Sequence, residues 1–312
     1  DPDNMVTDTV NVFTSLDDLY HNPDATWKGS RVMRMPYMYI PSNAEAAAKA
    51  GVISERELPA AEETIDVALY RDPKNPVGGA TLSQALSLDM IATQAKEGWN
   101  RPAYFAMTVP DEYYLSLSPY LRNTGLAYQV SPLLNPDGSR ETWIDTDKMY
   151  ANITEKFRWG GLDKAGKDGD IYLDETVRRM VTTHRTAMAD LAMALYVEGI
   201  EALDSVGGRK PDTVYAADRF TKAARILDMI EEKLPVSVSP YSIQTGYQIA
   251  DAYLRLAAET GDEKLYDKGM KITIGEIERY AAYLPYFNEL RRTLPGSGFS
   301  GLSPAARYVP TY

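Results

Sequence analysis

Cysteine is absent from the 312 residues, and histidine occurs only twice, at His21 and His184. The first absence excludes disulfides, thiolate nucleophiles and cysteine-ligated metal. The second leaves a histidine metal site or a Ser-His-Asp triad resting on one side chain. Long apolar runs are also missing: none approaches the roughly 20 residues of a membrane-spanning helix. The opening Asp1-Pro2-Asp3-Asn4 has neither the basic nor the apolar region of a secretion signal. An excised domain of a larger protein is the expectation. Positive charge is the minority sign, with 33 Lys and Arg against 44 Asp and Glu for a formal charge of −11. That balance argues against nucleic acid or an anionic lipid surface as partner. Gly78-Gly79 has no downstream Lys-Ser/Thr, so it is a loop and not a phosphate cradle.

What is present suits an ordered globular body of about two domains: 44% of residues are hydrophobic and 25% charged. The pattern shifts near residue 145. Before it lie most of the prolines and the strand-like runs Arg31–Ile40 and Thr64–Tyr70, so residues 1–145 read as an α+β or α/β domain. Ala44–Ala50 predicts a short surface helix. Thr81–Lys96 carries apolar residues at helical spacing and is followed by Gly98, where a left-handed cap is wanted. Arg101-Pro102 then forces extended backbone, and Ala103–Val109 reads as a buried strand. Asp111 is placed to cap a helix carrying Tyr114, Leu115, Leu117 and Leu121. Asn123-Thr124-Gly125 turns into a second strand, Leu126–Val130. Asn135-Pro136-Asp137-Gly138 predicts a hairpin turn or exposed loop.

After Asp145 the periodicity is helical: Thr146–Phe157, Asp174–Ser205, Asp212–Leu234, Pro240–Thr260 and Glu263–Leu284. The last four read as two antiparallel pairs. Gly207-Gly208 and Gly261-Asp262 mark the turns, and Leu234-Pro235 and Leu284-Pro285 end the second member of each pair. A repeat near 50 residues is longer than the tetratricopeptide unit but uses the same helical-hairpin logic, so residues 146–294 are expected to be an all-α, tetratricopeptide-like domain. Residues 295–312, rich in Gly, Ser and Pro, read as an irregular tail.

Several segments carry a resemblance in the same order along the chain. Trp99-Asn100-Arg101-Pro102-Ala103-Tyr104-Phe105-Ala106-Met107-Thr108-Val109 is followed by Tyr114-Leu115-Ser116-Leu117 and Gly125-Leu126-Ala127-Tyr128. Then come Asp147–Tyr150, Lys156-Phe157-Arg158-Trp159-Gly160, Tyr172–Glu175 and Val177–Met180. Together, from about Arg31 to about Tyr286, they resemble the C-terminal soluble portion of a Bacteroidetes membrane-protein family known as DUF2723. Gly98 stands where the family pattern has Asn before the tryptophan. The resemblance implies a protein O-mannosyltransferase-like membrane glycosyltransferase. Its catalytic acids lie near membrane spans that this chain lacks, and its C-terminal region is periplasmic. The implied partners are the membrane-spanning region of the same protein and an acceptor protein or glycan, with no cofactor and no nucleic acid.

No residue set makes a convincing catalytic or metal centre. His184, amid apolar helix positions, and His21, in a turn, read as hydrogen-bonded structural residues. Asp168, Asp170 and Glu175 fall on calcium-loop positions, but Lys164 would occupy the first ligand position and repel the ion. Asp174 is better explained as a helix N-cap. Asp111-Glu112 and Asp145/Asp147 precede helices, where capping accounts for them. Arg178-Arg179 could clamp an anion, though pairing with Asp174 or Glu175 explains an exposed helical arginine as well. Tyrosine, with 22 copies, suits stacking on sugars as well as filling cores. Two tyrosine sets are candidate binding surfaces: Tyr113, Tyr114, Tyr120 and Tyr128; and Tyr280, Tyr283 and Tyr286 beside Phe287. Three functions follow: a non-catalytic acceptor- or partner-binding region, an envelope interaction module, or a hydrolase built on two buried carboxylates.

Overall fold

The computed structural model describes residues 8–27, 29–35, 37–69, 82–110, 113–135, 143–164, 171–205 and 210–293. The chain divides into two compact units, Asp1–Asp145 and Thr146–Tyr312. The first mixes small sheets with helices, and the second is built from long helices.

In the first unit, β1 (Val10–Asn11) runs parallel to β4 (Tyr37–Pro41), which pairs antiparallel with β5 (Thr64–Ala68). A separate two-stranded ribbon joins β2 (Thr26–Trp27) to β3 (Ser30–Arg31). Period-2 alternation sets the core face. Met38 lies opposite Val67 and Ile40 opposite Ile65, all four buried. Helices α1 (Val12–His21) and α3 (Leu82–Lys96) pack together and against β4, and α2 (Ala44–Lys49) is a short helix capped by Asn43.

The Asn11 side chain caps α1 by accepting the Phe13 N–H at 3.0 Å. Near the far end of α1, Asp18 accepts hydrogen bonds from the Arg34 guanidinium, including Nε at 3.0 Å. These bonds hold the Asp18 carboxyl below the usual aspartate range. A depressed folded pKa contributes stability above the unfolded value, and that contribution is lost as pH falls through the folded one. Asp18→Asn is therefore expected to lower the melting temperature at pH 7 and to flatten its fall between about pH 4 and pH 2. Thermal melts of both proteins across that range check this; parallel curves would refute it.

Helix α3 ends as Gly98 suggested. Gly98 has φ 78°, its N–H donates to the Ala95 carbonyl, and the Trp99 N–H donates to the Gln94 carbonyl. Those two bonds define a Schellman stop. Trp99 follows, itself at φ 61° and fully buried, with its indole N–H 3.4 Å from the Ser42 hydroxyl.

The next segment departs from expectation. Only Tyr104–Ala106 forms a strand (β6), and it is an edge strand with exposed residues, not a buried one. No helix follows in the described residues. Leu115 and Ser116 both have positive φ, Ser118–Tyr120 makes a 3-10 turn, and Leu121–Asn123 is strand β7. Strand β8 (Ala127–Val130) lies between β6 and β7. The apolar positions that looked helical are instead buried by close turns and a strand. Asp111, Glu112 and the Asn135–Gly138 turn beyond Asn135 lie outside the described residues. Of Arg31–Ile40, strand structure begins only at Tyr37, apart from Arg31 in β3.

In the second unit, α4 (Thr146–Ala151) continues as one π-helical turn, Asn152–Lys156. Then come α5 (Glu175–Leu203), α6 (Thr213–Lys233), α7 (Ile243–Thr260) and α8 (Glu263–Thr293). Asp174, Asp212 and Ser242 cap α5, α6 and α7 with side-chain oxygens, and Gly261 closes α7 at φ 70°. Helix α5 pairs with α6 and α7 with α8, while α7 also touches α5 and α6. Both pairs are antiparallel. A Cβ on Gly199 would strike the Phe220 ring, and one on Gly246 or Gly269 would meet Glu276 or Leu254.

One boundary differs: Leu284-Pro285 does not end α8, which runs through the proline to Thr293. Leu234-Pro235 does end α6. There, Arg185 of α5 donates to the carbonyls of Leu234 (2.7 Å), Ser239 (2.6 Å), Pro235 and Pro240 (both 3.2 Å) and stacks 4.6 Å from the Tyr241 ring centroid. The broken helix end thus gains the partners a break requires. Residues 206–209 and 294–312, including Gly207-Gly208 and the tail, lie outside the described residues.

Candidate functional site

The helical unit carries a groove of about 570 Å³ between α7 and α8. Its trough exists because small residues face it, Gly246 and Ala250 from α7 and Ala281 from α8. Its walls are Tyr247, Ile277, Tyr280 and Leu284. Tyr247, Ile277 and Leu284 are 68%, 62% and 49% exposed, an unusual cost for apolar side chains unless something covers them.

One wall is held rigid. Arg279 donates to the Tyr241 carbonyl at 2.5 Å and the Tyr280 hydroxyl at 3.0 Å, pairs with Glu276, and stacks 4.7 Å from the Tyr280 ring centroid. Burial raises the Glu276 and Tyr280 pKa values, and Glu276 is held by its ion pair with Arg279. An apolar, aromatic-walled trough beside a fixed tyrosine is suited to receiving an amphipathic helix or apolar side chains.

The tyrosines named from sequence separate cleanly. Tyr280 lines the groove; Tyr283 and Tyr286 lie further along α8, and Tyr286 is exposed. The side chain of Phe287 lies outside the described residues. Tyr114, Tyr120 and Tyr128 belong to the core of the first unit, where Tyr114 contacts the Phe105 and Tyr128 rings edge-on. The Tyr114 hydroxyl donates to the Val109 carbonyl, and the Tyr120 hydroxyl accepts the Asp66 N–H. All three are buried, Tyr114 and Tyr120 with bonded hydroxyls, and leave little surface for a ligand; Tyr113 alone of that set is exposed. Arg178 and Arg179 stand exposed on α5, with Arg179 Nε 3.9 Å from Glu175 one turn back.

His21 pairs with Asp17 at 2.9 Å, and the His184 ring sits 2.6 Å from the Met180 carbonyl, packed by Phe157 and Trp159. Among the described residues no three His, Cys, Asp or Glu side chains are grouped to hold a metal ion. Asp168 and Asp170 of the calcium-like spacing lie outside the described residues.

Sequence reading missed one carboxylate pair. Asp147 of α4 and Glu198 of α5 share Arg219 of α6, whose Nη1 is 2.7 Å and 3.4 Å from them. Glu198 also accepts the Thr146 hydroxyl at 2.8 Å and the Tyr215 hydroxyl at 3.4 Å. Burial raises the Glu198 pKa. At Asp147 burial opposes ionisation but is outweighed by the hydrogen bond and charge of Arg219, so its pKa falls. The arrangement ties α4 to α5 and α6. Glu198, in the last turns of α5, is 51 residues from Asp147 and 21 from Arg219 along the chain, so only the fold brings the three together.

The molecule thus combines a small α+β unit with two helical hairpins that present an open apolar groove. Residues 3–148 match the family described as TMEM260-associated domain 2, a family tied by that description to a membrane protein. The match covers the first unit and the first residues of α4, and the groove lies beyond it. No curated protein and no solved structure matches the chain. Among the described residues no helix is long and apolar enough to cross a membrane.

Proposed function

We propose that this chain is the non-catalytic, periplasmic C-terminal region of a membrane-embedded, DUF2723-type glycosyltransferase-like protein, and that the α7/α8 groove grips a polypeptide acceptor or partner. The observation that carries the reading is the groove itself, with its exposed apolar walls and immobilised Tyr280. The family matched by residues 3–148 supports a membrane-protein context. Stacked helical hairpins are a common way to present such a trough. The carboxylate-hydrolase reading has less behind it, because Asp147 and Glu198 are bound to Arg219, Thr146 and Tyr215.

Two experiments test the reading. Antibodies to the chain should detect a carbonate-resistant membrane species well above 34.7 kDa in the source cells; a free species near that mass would overturn it. A photo-crosslinker at position 277 should label an acceptor polypeptide or the membrane-spanning region of the same protein. Leu284→Asp combined with Tyr280→Ala is expected to weaken that capture at least about tenfold, the scale of a hot-spot loss. Melting should shift little for Leu284→Asp alone, because that side chain is half exposed. Unchanged capture by a folded double variant would remove the groove from the proposal.

A further inference from the structure

A second surface lies wholly within the first unit. Strand β6 is at the edge of its sheet, and its hydrogen bonds show which way each residue faces. The Val130 N–H donates to the Ala103 carbonyl at 3.0 Å and the Met107 N–H to the Leu126 carbonyl at 3.2 Å. In an antiparallel ladder this assigns Ala103, Phe105 and Met107 to β8, so the main-chain groups of Tyr104 and Ala106 point away from the sheet. The Ala106 carbonyl is taken by the Val109 N–H. The Tyr104 N–H and C=O and the Ala106 N–H have no partner among the described residues.

Proteins usually blunt such an edge with charge, proline or a cover. Here it opens onto a groove of about 580 Å³ between β6 and α3, with Met90, Ile91, Gln94, Arg101 and Tyr104 among its lining. The flanking face of α3 is apolar and exposed, with Leu82, Leu86 and Met90 at i, i+4 and i+8. Arg101 at the groove is exposed and has no ion-pair partner among the described residues.

We propose that the outer edge of β6 receives an extended peptide segment of a partner protein as a fourth strand, with apolar side chains toward α3 and a carboxylate on Arg101. Three main-chain groups without a partner among the described residues, in the order donor, acceptor, donor on residues two apart, fit an extended backbone and not a helix, whose own groups are already paired. The Arg101 guanidinium, exposed and without an ion-pair partner among the described residues, supplies the charge preference. This surface is separate from the α7/α8 groove and stands or falls independently of it.

The test uses the full 312-residue chain and an acetylated, amidated pentapeptide, Val-Thr-Val-Thr-Asp. In the free protein the Tyr104 and Ala106 amides should exchange with solvent at least about tenfold faster than those of Phe105 and Met107. The peptide should slow the first two and shift their amide resonances. Two alternately N-methylated versions, each blocking one edge of the peptide, should split: one binds like the parent, the other at least tenfold more weakly. Arg101→Ala should weaken the parent but not a peptide with Asn in place of Asp. Tyr104→Pro, which removes an N–H outside the β6–β8 ladder, should abolish binding while the Phe105 and Met107 amides stay protected. Slow exchange of Tyr104 in the free chain, equal binding of both N-methylated versions, or no perturbation of Tyr104 and Ala106 would each overturn the proposal.

Discussion

Replacing Arg185 with leucine is expected to lower the stability of the helical unit by about 4 kcal/mol, an effect at the top of the range for single substitutions. The side chain is 1% exposed, and its four hydrogen bonds all go to main-chain carbonyls of the segment joining α6 to α7. Burial lowers its pKa to about 10, so it remains charged at neutral pH, and each bond is charge-assisted. Leucine fills part of the volume but leaves those carbonyls buried without donors. A loss of this size in a domain of 150 or more residues corresponds to roughly 10 °C in melting temperature. Lysine brings a point charge without the planar fork and should recover less than half of it. Circular dichroism melts and hydrogen exchange across residues 234–241 check the expectation. A melting shift under about 3 °C for Arg185→Leu would show that the segment holds its shape without the arginine.

Trp99→Ala should cost the first unit a similar amount, about 3–5 kcal/mol, the usual range for emptying a buried aromatic site. Trp99 is among the largest fully buried side chains, and it follows immediately on the stop of α3. Phenylalanine keeps most of the apolar contact and loses only the long bond to Ser42, so Trp99→Phe is expected to cost less than about 2 kcal/mol. Denaturant melts of the two variants separate packing from hydrogen bonding. Equal losses would mean that the indole N–H matters more than its 3.4 Å bond suggests.

The positions of the long helices were legible because their signals are local. Asp174 accepts the Val177 N–H, Ser242 the Thr245 N–H, and Gly98 and Gly261 adopt the left-handed conformation that ends a helix. Each of these depends on a few neighbouring residues. The alternation in β5 was similarly direct, since Ile65 and Val67 face one side and Thr64 and Asp66 the other. Tyr280 could be singled out as an aromatic on the last helix, but not the trough beside it, which needs Gly246 and Ala250 from another helix.

By itself, then, the sequence determined the α+β-then-helical order of the chain, the caps of its helices and the absence of cysteine chemistry. Those follow from residue type and short-range periodicity. Tertiary structure alone decided that Leu121–Asn123 is a strand, that Tyr114, Tyr120 and Tyr128 are core, and that Asp147 meets Glu198 at Arg219. It also decided the fate of two identical Leu-Pro pairs. At Pro235 the helix breaks because Arg185 supplies donors to the freed carbonyls. At Pro285 the exposed helix continues, because water can satisfy the carbonyl that the proline leaves unpaired and no turn is imposed. In each case the deciding partner lies dozens of residues away or in solvent, where local pattern carries no information about it.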